Sequence, residues 1–553
     1  MKMKFIVITF LVFALSSCSK FLDTSPKATI VPENYYNTEA QLNMSMAGIY
    51  NTLNSYDLYG SAMIARMGLD ADEAYYNVNV TTVGVTINDI WPTDMVISAF
   101  WRTLYEGINK ANALLANINK PTMDESKRKV IKGEALFLRA YFHFLLVSNF
   151  GDVPLKLTES TSPEDIYYTR TPAKQVYEQI IADMTEAEDL VPAITAIGNG
   201  GKISKSAVQG ILARVCLYMT GNPINDATKW NDVLFWSNKV IASGIHSLNT
   251  SYEQVFINYA KDIYDLKESI WEVEFYNPSA TDPSRKVGRV GIGLTIRSNN
   301  VEAGYGQGLV YATAPAFRKY KSYHKLIGTV DTEYSPDLRR DWAIAPYSYN
   351  PTSSNTKTYW AKKYPLPIEN VLSHRRFPGK WRREHEPANQ RSSDATGQNF
   401  PILRYSDVLL MFAEALNEVQ GPNGVHNGMS VYSAINQVKR RGYGFGPLEA
   451  GRVDDQGNSV DEAGHSQLTM REYIRDERSR ELNYECLRKN DLLRWGIYVD
   501  TMHETGAVLL TEAPAYTEDL VRYFTNVRPR DVLFPIPSYE IGLGRGMVQN
   551  FGW

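Results

Sequence analysis

The chain has 553 residues, more than one hydrophobic core usually serves, so we expect two or more subdomains or one extended repeat framework. Apolar residues make up 44% and charged residues 22% of the sequence, as is ordinary for a soluble globular protein. The net charge of −3 argues against a nucleic-acid-binding protein, because such proteins usually present a basic face.

The first predicted element is a secretion signal. Lys2 and Lys4 precede an apolar run over residues 5–15, which is shorter than the ~20 residues that a membrane-spanning helix needs. The run ends in "LSSC", and small residues before Cys18 resemble the lipobox of bacterial lipoproteins, in which the cysteine becomes the lipidated N-terminus. We therefore predict a signal peptide over residues 1–17, lipid on Cys18 and a tether over residues 18–37. A plain secretory signal followed by an accidental cysteine is the alternative.

Helical periodicity dominates residues 38–258. Thr38 is a candidate N-cap of the first helix, and long apolar-periodic segments follow in pairs that are separated by short turns. Small and large residues share the packing faces, as Ala213 and Leu217 do. Helix pairs of this kind predict tetratricopeptide-like units, on pattern rather than on repeated sequence.

The texture of the sequence changes over residues 259–399, where Gly, Pro, Asn, Ser, Tyr and Trp dominate. A region of about 140 residues should not form one loop, so we predict an insert of loops, short strands and short helices. A shorter stretch of the same texture, residues 69–92, interrupts the first helical part, and helical periodicity returns over residues 400–553. The predicted fold is mostly α, a tetratricopeptide-like helical-repeat frame that carries a large irregular insert.

Residues 475–495 form an unusually charged segment, for which we predict a helix. One face of this helix combines charged residues with apolar anchors: Ile474, Arg478, Glu481, Glu485, Arg488, Leu492 and Trp495. Three further pairs are spaced for ion pairs along the helix: Asp476 with Arg480, Glu485 with Lys489, and Asp491 with Arg494. Solvated helices place charge on the face opposite the apolar one, so we predict a buried structural network of Arg478, Glu481, Glu485 and Arg488. An active site is the alternative, although no nucleophile or histidine accompanies these carboxylates.

Four segments resemble motifs of one protein family: "KGEALFLRAYFHFLLVSNFGDVPL", "ILRYSDVLLMFAEALNEV", "ERSRELNYECLRKNDLLRWG" and "DVLFPIPSYEIGLGRGMVQNFGW". They look like signatures of SusD/RagB-like outer-membrane lipoproteins of Bacteroidetes, and the resemblance runs from Cys18 to Trp553. Two features depart from the family pattern. Cys486 stands where the pattern has Gly, and the tether "SKFLD" has only Asp23 in place of the acidic run that often accompanies display on the cell exterior.

The resemblance implies a function as well as a fold. SusD-like proteins have a tetratricopeptide-like frame and an irregular half that shapes the ligand site. They cap a SusC-like TonB-dependent transporter and help deliver oligosaccharides, or peptides in RagB-like cases. The family consists of binding proteins rather than enzymes, so we expect a lipid-anchored outer-membrane protein that faces the cell exterior, with a glycan ligand and no cofactor.

The ligand residues that we predict are aromatic and polar side chains in the irregular segments. Sugars need flat apolar surfaces for their C–H faces and amide or charged groups for their hydroxyls. The loop over residues 69–92 and the Gly-rich segment "GYGQGLVY" supply the main candidates: Asp72, Tyr75, Tyr76, Asn77, Asn79, Trp91, Tyr305 and Tyr311. Further candidates lie later in the insert: Trp342, Tyr347, Tyr359 and Trp360.

Three functions stay open at this stage: glycan capture, peptide capture on the same frame, and glycan hydrolysis on an unrelated helical fold. The Asn-rich aromatic loop favours a glycan only slightly. No Cys/His cluster has the spacing of a zinc site, so we expect no metal. Cys216 and Cys486 lie in helical patterns far apart in the sequence, so we expect free thiols rather than a disulfide.

Overall fold

The N-terminal part of the protein is an array of helices. The structure is a computed structural model that describes residues 35–67, 71–76, 84–160, 162, 168–275, 288–300, 302–328, 330–349, 357–359, 375–513, 518–543 and 546–553. The first elements are α1 Glu39–Leu53, β1 Ala74–Tyr76, α2 Met95–Asn117, α3 Glu125–Phe150, α4 Ala173–Leu190, α5 Ile194–Ile197, α6 Lys205–Thr220, α7 Lys229–Ala242 and α8 Tyr252–Ala260. Two single turns also lie between α1 and α2, the π-helical Met63–Met67 and the 3₁₀ Val85–Ile87.

The irregular insert follows α8 and is closed at its base by two strands. Its elements are β2 Ser269–Val273, α9 Val290–Gly293, β3 Val310–Ala312, α10 Ala314–Arg318, β4 Tyr323–Ile327, β5 Val330–Tyr334, α11 Arg339–Ala343, β6 Tyr347–Tyr349, β7 Lys357–Tyr359 and β8 Phe400–Arg404, with 3₁₀ turns at Arg383–His385 and Ala388–Gln390. β2 pairs with β8 in antiparallel fashion, β4 with β5 and β6 with β7. The β2–β8 pair therefore ties the two ends of the predicted insert together.

The C-terminal part returns to helices. Its elements are α12 Tyr405–Gln420, β9 Val425–His426, β10 Met429–Ser430, α13 Val431–Gly442, α14 Gln467–Leu482, α15 Arg488–Arg494, α16 Tyr498–Glu512, α17 Glu518–Thr525 and α18 Ser538–Gly542, with a 3₁₀ turn at Pro529–Val532. Each long helix packs on the next, in the order α1, α2, α3, α4, α6, α7, α12 and then α13 and α14. The predicted fold class, a mostly helical frame with an irregular insert, is confirmed. No helix in the ranges above is long and apolar enough to cross a membrane.

Local chemistry explains where the first helices begin and how closely they pack. The predicted N-cap Thr38 is confirmed, because its side chain accepts from the backbone N–H of Gln41 while the Gln41 side chain accepts from the backbone of Thr38. Asp94 and Asp124 cap α2 and α3 in the same position. A Cβ on Gly107 would lie 2.6 Å from the Phe142 ring, so this glycine allows α2 to approach α3 closely.

The predicted single helix over residues 475–495 is wrong, because the segment forms two helices, α14 and α15, with a turn between Leu482 and Arg488. Tyr484 and Cys486 in this turn both have φ of 60°, a left-handed conformation that costs a non-glycine residue about 1–2 kcal/mol. Neither residue is a glycine, so the sequence does not mark these two positions as left-handed.

Candidate ligand platform and its buried anchor

The predicted ligand loop and the Gly-rich segment of the insert form one antiparallel ribbon. Strand β1 pairs with β3 so that Tyr75 lies opposite Tyr311, with the ring centroids 6.0 Å apart. Thr313 extends the pairing, because its backbone N–H donates to the Glu73 carbonyl at 3.0 Å and its hydroxyl donates to the Asp72 carbonyl at 2.6 Å. Two segments more than 200 residues apart in the chain therefore lie side by side.

The two tyrosines of the loop lie inside the protein. Tyr75 is 1% exposed and packs against Phe524 at a centroid distance of 5.8 Å, in an apolar cluster with α16 and α17. Tyr76 points to the opposite side of the strand and is buried in the main core. The prediction that Tyr75 or Tyr76 presents a ring to ligand is therefore corrected: both faces of β1 are covered, and the rings are packing residues.

Tyr311 and Tyr305 are the predicted candidates at this ribbon that remain partly exposed. Tyr311 joins two apolar clusters, because it contacts Tyr75 on one side and Phe377, at 5.2 Å between ring centroids, on the other. Tyr305 is held through its backbone carbonyl, which accepts from the Arg383 guanidinium at 2.7 Å. The Tyr311 ring is thus packed between two neighbours and the Tyr305 backbone is held in place, while part of each side chain stays accessible.

The remaining aromatic and amide candidates fall in three groups. Trp91 is 48% exposed. The Arg530 guanidinium lies 5.9 Å from the centroid of the Trp91 ring and also covers the Trp553 ring, so Trp91 lies beside the C-terminal segment. Trp342 and Tyr347 are buried beneath the Arg382 guanidinium. The others lie outside the described residues, or have side chains that do: Asn77, Asn79, Trp360 and the Tyr359 side chain.

Asp72 is an anchor of the loop rather than a ligand residue, which corrects the prediction. Its two carboxylate oxygens accept from Nε and Nη2 of Arg488 at 2.7 and 2.8 Å, and both side chains are buried. Burial alone would raise the pKa of Asp72, but the Arg488 guanidinium holds it below the ordinary value. The oxygens that we expected to meet ligand are therefore engaged with the α15 helix.

Glu73 attaches the same loop to the turn that separates α14 from α15. Its carboxylate accepts from the Tyr484 backbone N–H at 3.1 Å and from the Ser479 hydroxyl at 3.4 Å. Burial, opposed by the Arg488 guanidinium and aided by the adjacent Asp72 carboxylate, raises the pKa of Glu73 to about 7. Two consecutive carboxylates thus fasten the start of the ligand loop to the charged segment.

Comparison with known proteins decides the family. The family described as "Starch-binding associating with outer membrane" matches residues 20–217, and the family described as "SusD family" matches residues 267–553, more than half of the chain. The chain belongs to the SusD family. SusD-family proteins are glycan-binding proteins associated with the outer membrane of Bacteroidetes.

Individual relatives of this SusD-family chain match along most of its length. A SusD-like protein of Formosa agariphila is 26% identical over 99% of this chain and 97% of its own. A SusD homolog from Bacteroides thetaiotaomicron is 28% identical, with a TM-score of 0.82 over 94% of this chain and 98% of that one. A surface glycan-binding protein A from Bacteroides fluxus is 20% identical, with a TM-score of 0.69, and shows that the fold is shared.

The SusD-family resemblance places Gly at position 486, and the structure gives the physical reason. A φ of 60° is open to glycine without steric cost, whereas the Cβ of Cys486 crowds its own backbone there. The Cys486 thiol points toward the Met63 carbonyl at 3.5 Å and packs against the core. Neither Cys486 nor Cys216 forms a disulfide bond within the described part of the chain, in agreement with the prediction.

The four residues of the predicted charge network are all buried and ion-paired. Arg478 donates to Asp407 and Asp491, both at 2.8 Å, and Glu485 accepts from Lys380 and Arg404, both at 2.7 Å. Glu481 accepts from three guanidiniums at 2.6–3.1 Å: Arg339, Arg404 and Arg441. Arg488 completes the set through its pair with Asp72.

The partners within the charged segment itself are mostly different from those predicted. Asp491 does pair with Arg494, at 2.9 Å. Asp476 pairs instead with Lys319, and Arg480 with Glu477. Glu485 pairs with Lys380 and Arg404 rather than with Lys489, because the turn after Leu482 breaks the helical spacing on which that prediction rested.

Sequence reasoning missed the partners that come from elsewhere in the chain. They are distributed over the insert and the neighbouring helices: Glu268, Arg339, Lys380, Arg404, Asp407, Glu414 and Arg441. Arg404 is the last residue of β8 and Arg339 the first of α11, so the network joins the insert to α14. Charged residues that share a helical face with apolar residues indicated burial, but this pattern did not specify which oppositely charged residues elsewhere in the chain would pair with them.

Proposed function

We propose that this protein captures an oligosaccharide or polysaccharide at the outer membrane and delivers it to a SusC-like TonB-dependent transporter, without catalysing a reaction. The observation that carries the proposal is the β1–β3 ribbon in a SusD-family chain. It presents the partly exposed Tyr311 ring on a backbone that is fastened to the helical frame through Asp72 and Glu73, and the partly exposed Tyr305 lies five residues before β3. A rigid platform of this kind lowers the entropy cost of binding a flexible chain of sugars.

Structural relatives support a glycan as the ligand class. One solved structure with a TM-score of 0.66 is described as a laminarin-binding SusD-like protein, and others as surface glycan-binding proteins. Those descriptions apply to the relatives, which share the fold at about 20% identity. Peptide capture by a RagB-like subunit on the same frame is the second candidate, because half-buried tyrosines also suit peptide side chains.

Native affinity gels would test the ligand class. We expect at least one polysaccharide in a panel to retard the purified protein, and calorimetry with a peptide panel to show no heat of binding. Replacing Tyr305 with alanine should weaken the retardation, because an aromatic anchor often contributes about 2 kcal/mol or more. The matched control is Phe235→Ala, which removes a ring that is 53% exposed on α7 of the frame.

Two outcomes of that experiment would change the assignment. Binding to peptides without retardation by any polysaccharide would move the protein to the RagB-like class. Release of reducing sugar from a retarding polysaccharide during long incubation would show an enzyme and contradict a pure binding function.

The anchor and the transporter can be tested together. We propose that Cys18 carries lipid and holds the protein beside the barrel. Affinity-tagged protein pulled from detergent-solubilised outer membranes should recover a large TonB-dependent β-barrel. Cys18→Ala should leave the precursor unprocessed, with a higher mass, and should reduce its amount in the outer-membrane fraction. Recovery of no barrel, under conditions that preserve a known complex of this type, would contradict the transporter partnership. Normal processing of Cys18→Ala would contradict lipidation of Cys18.

A further inference from the structure

A second concave site lies on the helical frame, away from the ribbon. A pocket of about 640 Å³ opens between α1, α3, the connection before α6 and the end of β2. This volume is within the range of small-molecule sites, which is ~300–1,000 Å³. Its polar lining is amide, hydroxyl and charged side chains: Asn43, Tyr50, Asn51, Asn54, Glu134, Lys202, Glu272 and Glu274.

Two buried carboxylates face this pocket, and neither is engaged in an ion pair in the described part of the chain. Glu134 and Glu272 are 4% and 3% exposed. Glu272 accepts from the Ser269 hydroxyl at 2.7 Å and the Asn399 amide at 3.1 Å, and Glu134 has the Tyr50 hydroxyl as its hydrogen-bonding neighbour. No basic side chain in the described ranges forms an ion pair with either one. In the charge network, by contrast, each buried carboxylate faces a guanidinium or an ammonium group.

The electrostatics of the pocket favour a cation. Burial raises the pKa of both Glu134 and Glu272 to about 7, with Lys202 opposing the shift at Glu134 and Glu274 adding to it at Glu272. The charged and titratable groups around the two carboxylates are Tyr50, Tyr259, Lys202, Asp262, Tyr264 and Glu274. Lys202 is the only positive charge among these groups, so a cationic ligand would supply the opposite charge that favours the ionised form of both carboxylates.

We propose that this pocket binds an unacetylated amino-sugar unit, whose ammonium group pairs with the Glu134 and Glu272 carboxylates. The amides of Asn43, Asn51 and Asn54 at the same pocket offer donors and acceptors for the sugar hydroxyls. A bare metal ion would leave most of this volume and these amides unused. The proposal goes beyond the glycan platform and is independent of it, because the two sites share no residue.

Calorimetry with a matched pair of trisaccharides tests the proposal. Fully deacetylated chitotriose should bind the purified protein at about pH 6.5, and its tri-N-acetylated form, which lacks the charge, should bind at least about tenfold more weakly. The ammonium group favours the ionised carboxylates, so binding lowers their pKa and releases protons. Buffers of different ionisation heat should detect that release. Affinity should rise severalfold from about pH 5.5 to 6.5, because the ionised fraction of each carboxylate grows as the pH approaches its pKa of about 7.

Isosteric variants assign the effect to the pocket. Glu134→Gln combined with Glu272→Gln should weaken chitotriose binding by at least about tenfold and abolish the proton release, since neither amide can ionise. The control is Glu106→Gln, which neutralises a carboxylate that is 57% exposed on α2 and should change neither quantity. If the double variant does not fold, Glu272→Gln alone is measured in its place.

Three results would overturn the assignment. The first is equal affinity for the charged and acetylated trisaccharides. The second is unchanged chitotriose binding and proton release in the folded Gln variant. The third is binding of Nα-acetyl-lysine as tight as that of chitotriose, which would show that the pocket recognises an ammonium group without the sugar. None of these results depends on transporter docking or on the β1–β3 platform, so the failure of either proposal can be distinguished from the failure of the other.

Discussion

Replacing Glu481 with alanine should lower the free energy of unfolding by about 3–5 kcal/mol, the usual range when one member of a buried ion-pair network is removed. The Glu481 carboxylate accepts hydrogen bonds from Arg339, Arg404 and Arg441, and all four side chains are at most 1% exposed. Its removal leaves three buried guanidiniums with too little negative charge among them. Urea or guanidinium unfolding at neutral pH would measure the loss.

The same helix provides the matched control. Glu472 lies on α14 with 58% of its side chain exposed, and it pairs with Arg475 at 2.9 Å. Exposed pairs of this kind contribute ~0–1 kcal/mol, so Glu472→Ala should be close to wild type. Equal stability of the two variants would contradict a structural role for the network. Lost ligand binding with unchanged stability in Glu481→Ala would instead favour a functional role.

Acid should weaken the same network. Burial alone would raise the pKa of Glu477, but the Arg339 and Arg480 guanidiniums hold it down to about 2, and the pKa of Glu481 is also held well below its ordinary value. A depressed folded-state pKa contributes stability above the unfolded value of ~4.3, and this contribution is lost as the pH falls toward the folded pKa. The stability of wild type should therefore decline below about pH 4 more steeply than that of Glu481→Ala.

The charged segment shows both the reach and the limit of sequence reasoning. Charges that share a helical face with apolar residues indicated burial, and Arg478, Glu481, Glu485 and Arg488 are indeed buried. The helical spacing failed beyond Leu482, because residues in the left-handed region need not be glycines. The main partners, such as Arg404 and Arg339, lie 77 and 142 residues from Glu481, and only the folded insert brings them close.

The aromatic residues show a different limit. An alternating strand usually exposes one face, so a tyrosine pair in an irregular loop suggested that at least one ring meets ligand. β1 instead lies between two apolar clusters. The main core covers Tyr76, and the cluster with α16 and α17 covers Tyr75. Replacing both tyrosines would therefore remove core volume and lower stability, and lost ligand binding in such a variant would not identify a contact.

The buried pair of Asp72 and Arg488 should control how firmly the ligand loop is held. Removing one partner leaves the other charge buried and unmatched, so Asp72→Leu and Arg488→Met should each lower stability by about 3–5 kcal/mol. The double variant leaves no unpaired charge at this position and should lose clearly less than the sum of the two. The coupling energy from this double-mutant cycle should exceed about 1.5 kcal/mol.

Hydrogen exchange separates the anchoring role from general stability. Without the pair, β1 is fastened to the α14–α15 turn by Glu73 alone, so the amides of residues 71–76 should exchange faster in all three variants, including the more stable double variant.

The control cycle is Arg102→Met with Glu106→Leu, an exposed pair at 3.9 Å for which we expect a coupling energy near zero and no change in exchange at residues 71–76. A coupling energy for Asp72 and Arg488 as small as that of the control, or unchanged exchange in the loop, would show that the pair does not hold the ligand loop. If the pair does hold it, the double variant should also bind the cognate glycan more weakly than wild type, because the Tyr311 strand that pairs with β1 would lose its fixed neighbour.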